Sequence, residues 1–191
     1  MVGIAVLIAI GVSLLVVVGG ERETPEKKSS AELTELSEST APWTPEQSKL
    51  GERIKALGLP APGTEKYHVH AQLAVYVDGQ NLPVPKNIGL ASGAISALHT
   101  HETDGVIHLE ADAPFQASLS DFFGIWGVKF SDSQLGGYKN DGSKSVQVFV
   151  NGQPVSDPAN YVIKSKDKIV VGYGAPDSFP KTISQPLPEE L

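Results

Sequence analysis

The segment His99-Thr-His101-Glu-Thr-Asp104-Gly105-Val-Ile-His108-Leu-Glu110 constrains the fold of this chain more than any other. Asp-Gly flanked by alternating residues signals a hairpin closed by a two-residue type I′ turn. Such a turn predicts Thr103 opposite Val106, His101 opposite His108 and His99 opposite Glu110. Directly opposed residues point to one face, with Cβ atoms about 4.5–5.5 Å apart. Three imidazoles and a carboxylate then share one small surface. A four-residue loop would change the partners and keep this parity, whereas a three-residue loop would break it. The other two of the five histidines, His68 and His70, stand in Tyr67-His-Val-His-Ala-Gln-Leu-Ala-Val-Tyr-Val77.

That second segment alternates as a half-buried strand does. Val69, Leu73, Val75 and Val77 form one phase, and His68, His70, Gln72 and Tyr76 the other. In the hairpin the apolar phase is Leu98, Ile107 and Leu109. All five histidines therefore lie opposite the main apolar phase, which is not where core residues fall.

The chain has 191 residues, and discounting its ends leaves room for one domain. A net charge of −7 without a basic patch argues against nucleic acid as a partner. The sequence contains no cysteine, and its single methionine is Met1. Disulfides, zinc ribbons, iron–sulfur clusters and blue-copper sites are thereby excluded.

Residues 2–20 are apolar or small and carry no charge, a length that suits one transmembrane helix. A cleaved signal peptide is the rival reading, but there is no basic flank and Gly19-Gly20-Glu21 is a poor cleavage site. The missing flank also fits a start codon placed too far downstream. Arg22, Lys27 and Lys28 would favour the cytoplasm for the following segment, though Glu21, Glu23 and Glu26 weaken that bias. Residues 21–42 are polar and charged and read as a flexible tether. Residues 43–60 read as a short helical arm, with Thr44 as N-cap, Pro45 at the first position, Leu50, Ile54 and Leu57 as its stripe and Gly58 as its stop. That arm packs on the domain or docks a partner.

A His-rich domain follows over residues 61–175, then an irregular tail over 176–191. Asp78-Gly79 and Asn151-Gly152 are further hairpin tips, and Leu82-Pro-Val84-Pro reads as an edge strand. Ser118 or Ser120 caps a short helix whose Leu119, Phe122, Phe123 and Trp126 bury against the sheet. Residues 131–144 read as a polar loop, and Ser145–Val150 and Lys168–Tyr173 as strands. The sum is α+β: an antiparallel or mixed sheet with one or two short helices, loosely β-grasp-like, preceded by one transmembrane helix.

The strings Tyr67-His-Val-His-Ala-Gln-Leu-Ala-Val-Tyr-Val-Asp-Gly, Leu98-His-Thr-His-Glu-Thr-Asp-Gly-Val-Ile-His-Leu-Glu and Phe122-Phe-x-x-Trp126-Gly resemble a family of bacterial membrane-anchored or secreted His-rich domains. The likeness covers about residues 65–174. It implies an extracytoplasmic domain and no particular activity; with residues 2–20 as anchor, the expected location is the cell membrane, single-pass. Size and anchoring also resemble small accessory subunits of bacterial respiratory supercomplexes, without a supporting motif. A terminal oxidase is one membrane complex such a subunit would serve.

Imidazole and carboxylate ligate copper(II), zinc, nickel and iron. Residues i and i+2 of a strand are about 6.5–7 Å apart at the backbone, and their rings can converge on one ion at bonds of about 2.0–2.1 Å. The predicted ligands are His99, His101 and His108, joined by His68 and His70 if their strand lies beside the hairpin. Glu110 is a ligand or an acceptor for an imidazole N–H, and Asp104 is a turn residue. The plainer alternative is a hydrogen-bonded or pH-sensitive polar face. Eight residues separate His101 from Glu110, which does not match cupin spacing. There is no nucleophile elbow, phosphate loop or dinucleotide fingerprint. Three functions fit. The first is a copper- or zinc-binding accessory or metal-supply protein. The second is a metal-dependent hydrolase or lyase with Glu110 or Glu102 as base. The third is a metal-free docking module.

Overall fold

The computed structural model describes Lys28, residues 32–63 and residues 66–187. The apolar run over residues 2–20 lies outside them, and no helix among the described residues is long and apolar enough to cross a membrane. Among the described residues the elements run α1 (Leu50–Ala56), β1 (Tyr67–Val77), β2 (Gln80–Leu82), β3 (Leu90–Ala91), β4 (Ala94–Ile95), β5 (Leu98–His99) and β6 (Val106–Ala111). They continue through α2 (Leu119–Trp126), β7 (Phe130–Ser131), β8 (Gln134–Leu135), β9 (Tyr138–Lys139), β10 (Ser145–Val150), β11 (Gln153–Pro154) and β12 (Lys168–Gly174).

Seven strands form the main sheet, in the order β11-β10-β12-β1-β6-β5, with β2 on β1. β1 and β12 are parallel and the other pairs antiparallel, so this is a mixed sheet with two short helices, an α+β arrangement. The eleven-residue β1 organises it. Along one edge Gln72–Val77 pair with β12; along the other, Tyr67–Gln72 pair with β6 and Val75–Val77 with β2. Asp78 and Gly79 both hold positive φ, as a type I′ turn requires, and Asn151-Gly152 does the same between β10 and β11.

The two faces of the sheet differ. Ala71, Leu73, Val75, Ile107, Leu109, Ile169 and Val171 join the main core with Phe122, Phe123 and Trp126 of α2. Each such large side chain contributes about 1.5–3 kcal/mol of burial. Ser118 and Asp121 close α2 with a reciprocal capping box, and Gly127 ends it in the left-handed region. On the opposite face the tail supplies Phe179, which stacks on Tyr76 at 5.7 Å and packs with Phe149 and Val170. Gly172 makes room for it, since a Cβ there would lie 2.2 Å from the Phe179 ring. The rest of that face, over β1, β6 and β5, carries the histidines.

Three segments depart from expectation. The arm helix begins at Leu50, not Pro45. Residues 43–46 instead run against the end of α2: Trp43 meets Trp126 edge-on at 5.9 Å, and Glu46 N–H donates to the Trp126 carbonyl. Tertiary contact outweighs the local capping preference here. The Glu46 carboxylate then accepts from Ser48 N and Lys49 N and pairs with buried Arg53. Second, the end of the stretch read as a tether is held to the domain, with Ser37 bridging Val128 and Gly137 N–H donating to Ser39 O. Third, residues read as a polar loop contain β8 and β9, which form a small three-stranded sheet with β7. Phe130, Leu135 and Tyr138 are its apolar contacts with the core.

Candidate metal centre

β6 lies between β1 and β5, so its histidine and glutamate are flanked from both sides. The ladders place His70 opposite His108, His108 opposite His99, and His68 opposite Glu110. Three imidazoles thus line up across three strands, with His68 and Glu110 in the next row.

The predicted type I′ turn does not form, and this shifts the hairpin register. Gly105 holds φ +79, but Asp104 is not at positive φ. Asp104 Oδ1 instead accepts from Val106 N at 2.9 Å. Leu73 N–H donates to the Gly105 carbonyl at 2.8 Å, and a Cβ on Gly105 would lie 2.1 Å from the Leu73 oxygen. Contact with β1 therefore sets the corner, and His99 faces His108 rather than Glu110. The shift is even, so the shared face survives. His101 lies beyond β5, and its ring turns back to His99.

The donors on the β1 side form a closed circuit. His68 Nε2 is 2.9 Å from His70 Nε2, which is 3.1 Å from His108 Nδ1. His108 Nδ1 is 3.1 Å from Glu110 Oε1, which is 2.8 Å from His68 Nε2. On the β5 side, His99 Nε2 is 3.1 Å from His101 Nε2 and 3.7 Å from Glu110 Oε2. The backbone carbonyl of Ser96 lies 2.9 Å from His99 Nδ1. Nδ1–H donates to it, which leaves the Nε2 lone pair facing the cluster.

Two groups thus have donors close enough to bind a metal ion: His68, His70, His108 and Glu110, and His99, His101, His108 and Glu110. Within each group the donor atoms lie within 4.8 Å of one another. Every residue predicted as a ligand falls in one or both, whereas Glu102 and Asp104 fall in neither.

The electrostatics keep nitrogen lone pairs available. Burial, then the neighbouring imidazoles, push His108 down to about 4. Burial and then His68 lower His70, and burial lowers His99 despite the opposing pull of Glu110. Burial alone would raise the Glu110 carboxyl, but His99, His68 and His108 together hold it below the usual range.

A cavity of about 530 Å³ opens beside His99, His101 and Glu110, walled by Pro62, Leu90, Ala91 and Ile95 with Gln47 and Asn87. Neither this cavity nor the Ser96 carbonyl carries a sequence signal: one is built from four separate segments, the other is backbone. No family model, curated protein or solved structure matches the chain.

Proposed function

We propose that this chain is a membrane-anchored, extracytoplasmic protein that binds copper(II) or zinc through His68, His70, His99, His101, His108 and Glu110. The observation that carries the reading is the circuit on the β1 side, four donors with successive separations of 2.8–3.1 Å. Bonds of about 2.0–2.1 Å put neighbouring donors about 2.9 Å apart in a square plane and about 3.4 Å apart in a tetrahedron. The separations sit nearer the square plane, and the three-nitrogen, one-oxygen set also suits copper(II). Bound there, the ion would neutralise the Glu110 carboxylate and crosslink β1 to β6.

The uncharged run over residues 2–20 supports the anchor, and the resemblance of the histidine strings supports the extracytoplasmic side. The β-grasp-like reading is supported by the order β6-β1-β12-β10 around a central parallel pair, with α2 in the crossover. Four protein donors on the β1 side favour holding or supplying metal over turnover at that ion. Service to a respiratory membrane complex rests on size and anchoring.

The test is metal analysis of the full chain, purified in detergent from metal-replete medium. Copper or zinc should co-purify, and affinity should be tighter than micromolar. A metal-free protein that binds neither tighter than micromolar would refute the reading. Recovery of a solubilised oxidase with the tagged chain would support the accessory role, and recovery of none would count against it.

A further inference from the structure

We propose that the cluster holds two ions rather than one, bridged by the Glu110 carboxylate, and that only the ion on the β5 side is open to an external ligand. This inference rests on the metal reading above.

The six residues form two sets of metal-binding spacing, not one. An ion with bonds of about 2.1 Å spans at most about 4.2 Å between donors. His70 and His99 stand on β1 and β5, on either side of β6. Neither His68 nor His70 joins the second set, and neither His99 nor His101 joins the first. One ion on the β1 side would leave His99 and His101 without one. Yet these two are built as a pair, their Nε2 atoms 3.1 Å apart and His99 oriented from behind by Ser96.

Glu110 divides its oxygens between the sets. Oε1 faces His68 and His108, at 2.8 and 3.1 Å, and Oε2 faces His99 at 3.7 Å. That is how a carboxylate bridges two cations, one oxygen to each. Nδ1 of His108 lies against His70 and Glu110 Oε1, which commits it to the β1 ion. The β1 ion then has His68, His70, His108 and Glu110. The β5 ion has His99, His101 and the second oxygen of Glu110.

Four protein donors close a site, whereas three leave a position free, and with the His108 nitrogen given to the β1 ion the second group keeps three of its four members. The cavity lies on the side with three: it is lined by His99, His101 and Glu110, and by none of His68, His70 or His108. The ligand expected is a small anion, drawn by the ion, whose apolar portion rests on Leu90, Ala91 and Ile95.

The full chain, loaded with copper(II) and freed of excess, tests this by copper count, electron paramagnetic resonance and azide titration. The expected results are two coppers per chain, an integrated signal well below two independent spins, and a new azide absorption band. One exposed histidine belongs to each set, His68 and His101. His101→Ala should leave one copper and no azide band, while His68→Ala should keep the azide response. Glu110→Gln should lift the spin coupling or release the second copper.

One copper per chain in the wild type would overturn the two-ion centre and leave the metal reading standing. No copper would overturn both. Two uncoupled coppers, unaltered in Glu110→Gln, would overturn the bridge. An azide band that survives His101→Ala but not His68→Ala would overturn the assignment of the open ion.

Discussion

His70 and His108 face each other across the β1–β6 ladder, Nε2 to Nδ1 at 3.1 Å, with their rings almost perpendicular. Each is lowered by burial and by the imidazoles around it. The contact joins the His68-x-His70 string to His108, which His99 of the second His-x-His string faces from its other side.

Acid should therefore destabilise the metal-free protein from an unusually high pH. His108 titrates at about 4 when folded and near its ordinary 6.5 when unfolded. Below 6.5 the unfolded chain takes up the proton first, so stability present above that pH is lost as pH falls toward 4. Glu110, also lowered on folding, acts in the same direction below 4.5. Thermal melts in chelator should show a falling midpoint between those limits, with a shallower fall in His108→Asn. Equal slopes for the two proteins would contradict the assignment.

Gly105 is expected to tolerate no side chain. A Cβ meets the Leu73 oxygen at 2.1 Å, and the residue holds φ +79. Gly105→Ala should cost about 2–3 kcal/mol in denaturant unfolding and loosen the loop that carries His101. Wild-type stability in this variant would show that the corner is not pinned to β1.

The Glu46–Arg53 pair should anchor the arm. Arg53 is 4 % exposed, and its guanidinium also reaches the Glu46 and Ile125 carbonyls. Glu46→Ala strands that charge, at an expected cost of about 2–3 kcal/mol. The figure is below that for fully buried pairs because the Glu46 side chain is 35 % exposed. Glu46→Gln, which keeps an acceptor, should lose less. Chemical denaturation of both variants checks the order.

Much of the fold was legible because alternation survives any even error in register. β1 falls on its predicted residues, and both Asp78-Gly79 and Asn151-Gly152 form the turns their residue types demand. Asp104-Gly105 has the same local chemistry, but the approach of Leu73 overrides it. Residues 43–46 carry good helix-start residues, but contact with α2 claims them. Such pairings between distant segments leave no local pattern. The histidine set was readable from spacing alone. Its division into two groups was not, because that depends on β6 lying between β1 and β5.

If β1, β6 and β5 assemble a metal-binding cluster, loss of a shared ligand must weaken it. Chelator competition with copper(II) and with zinc, on the full chain and on His108→Ala, measures that dependence. His108 is common to both groups. The wild type should bind tighter than micromolar, and the variant should hold at most the ion on the β5 side, with affinity for the other down by about 100-fold. Wild-type binding weaker than micromolar for both metals, or an affinity indifferent to the loss of His108, would contradict it.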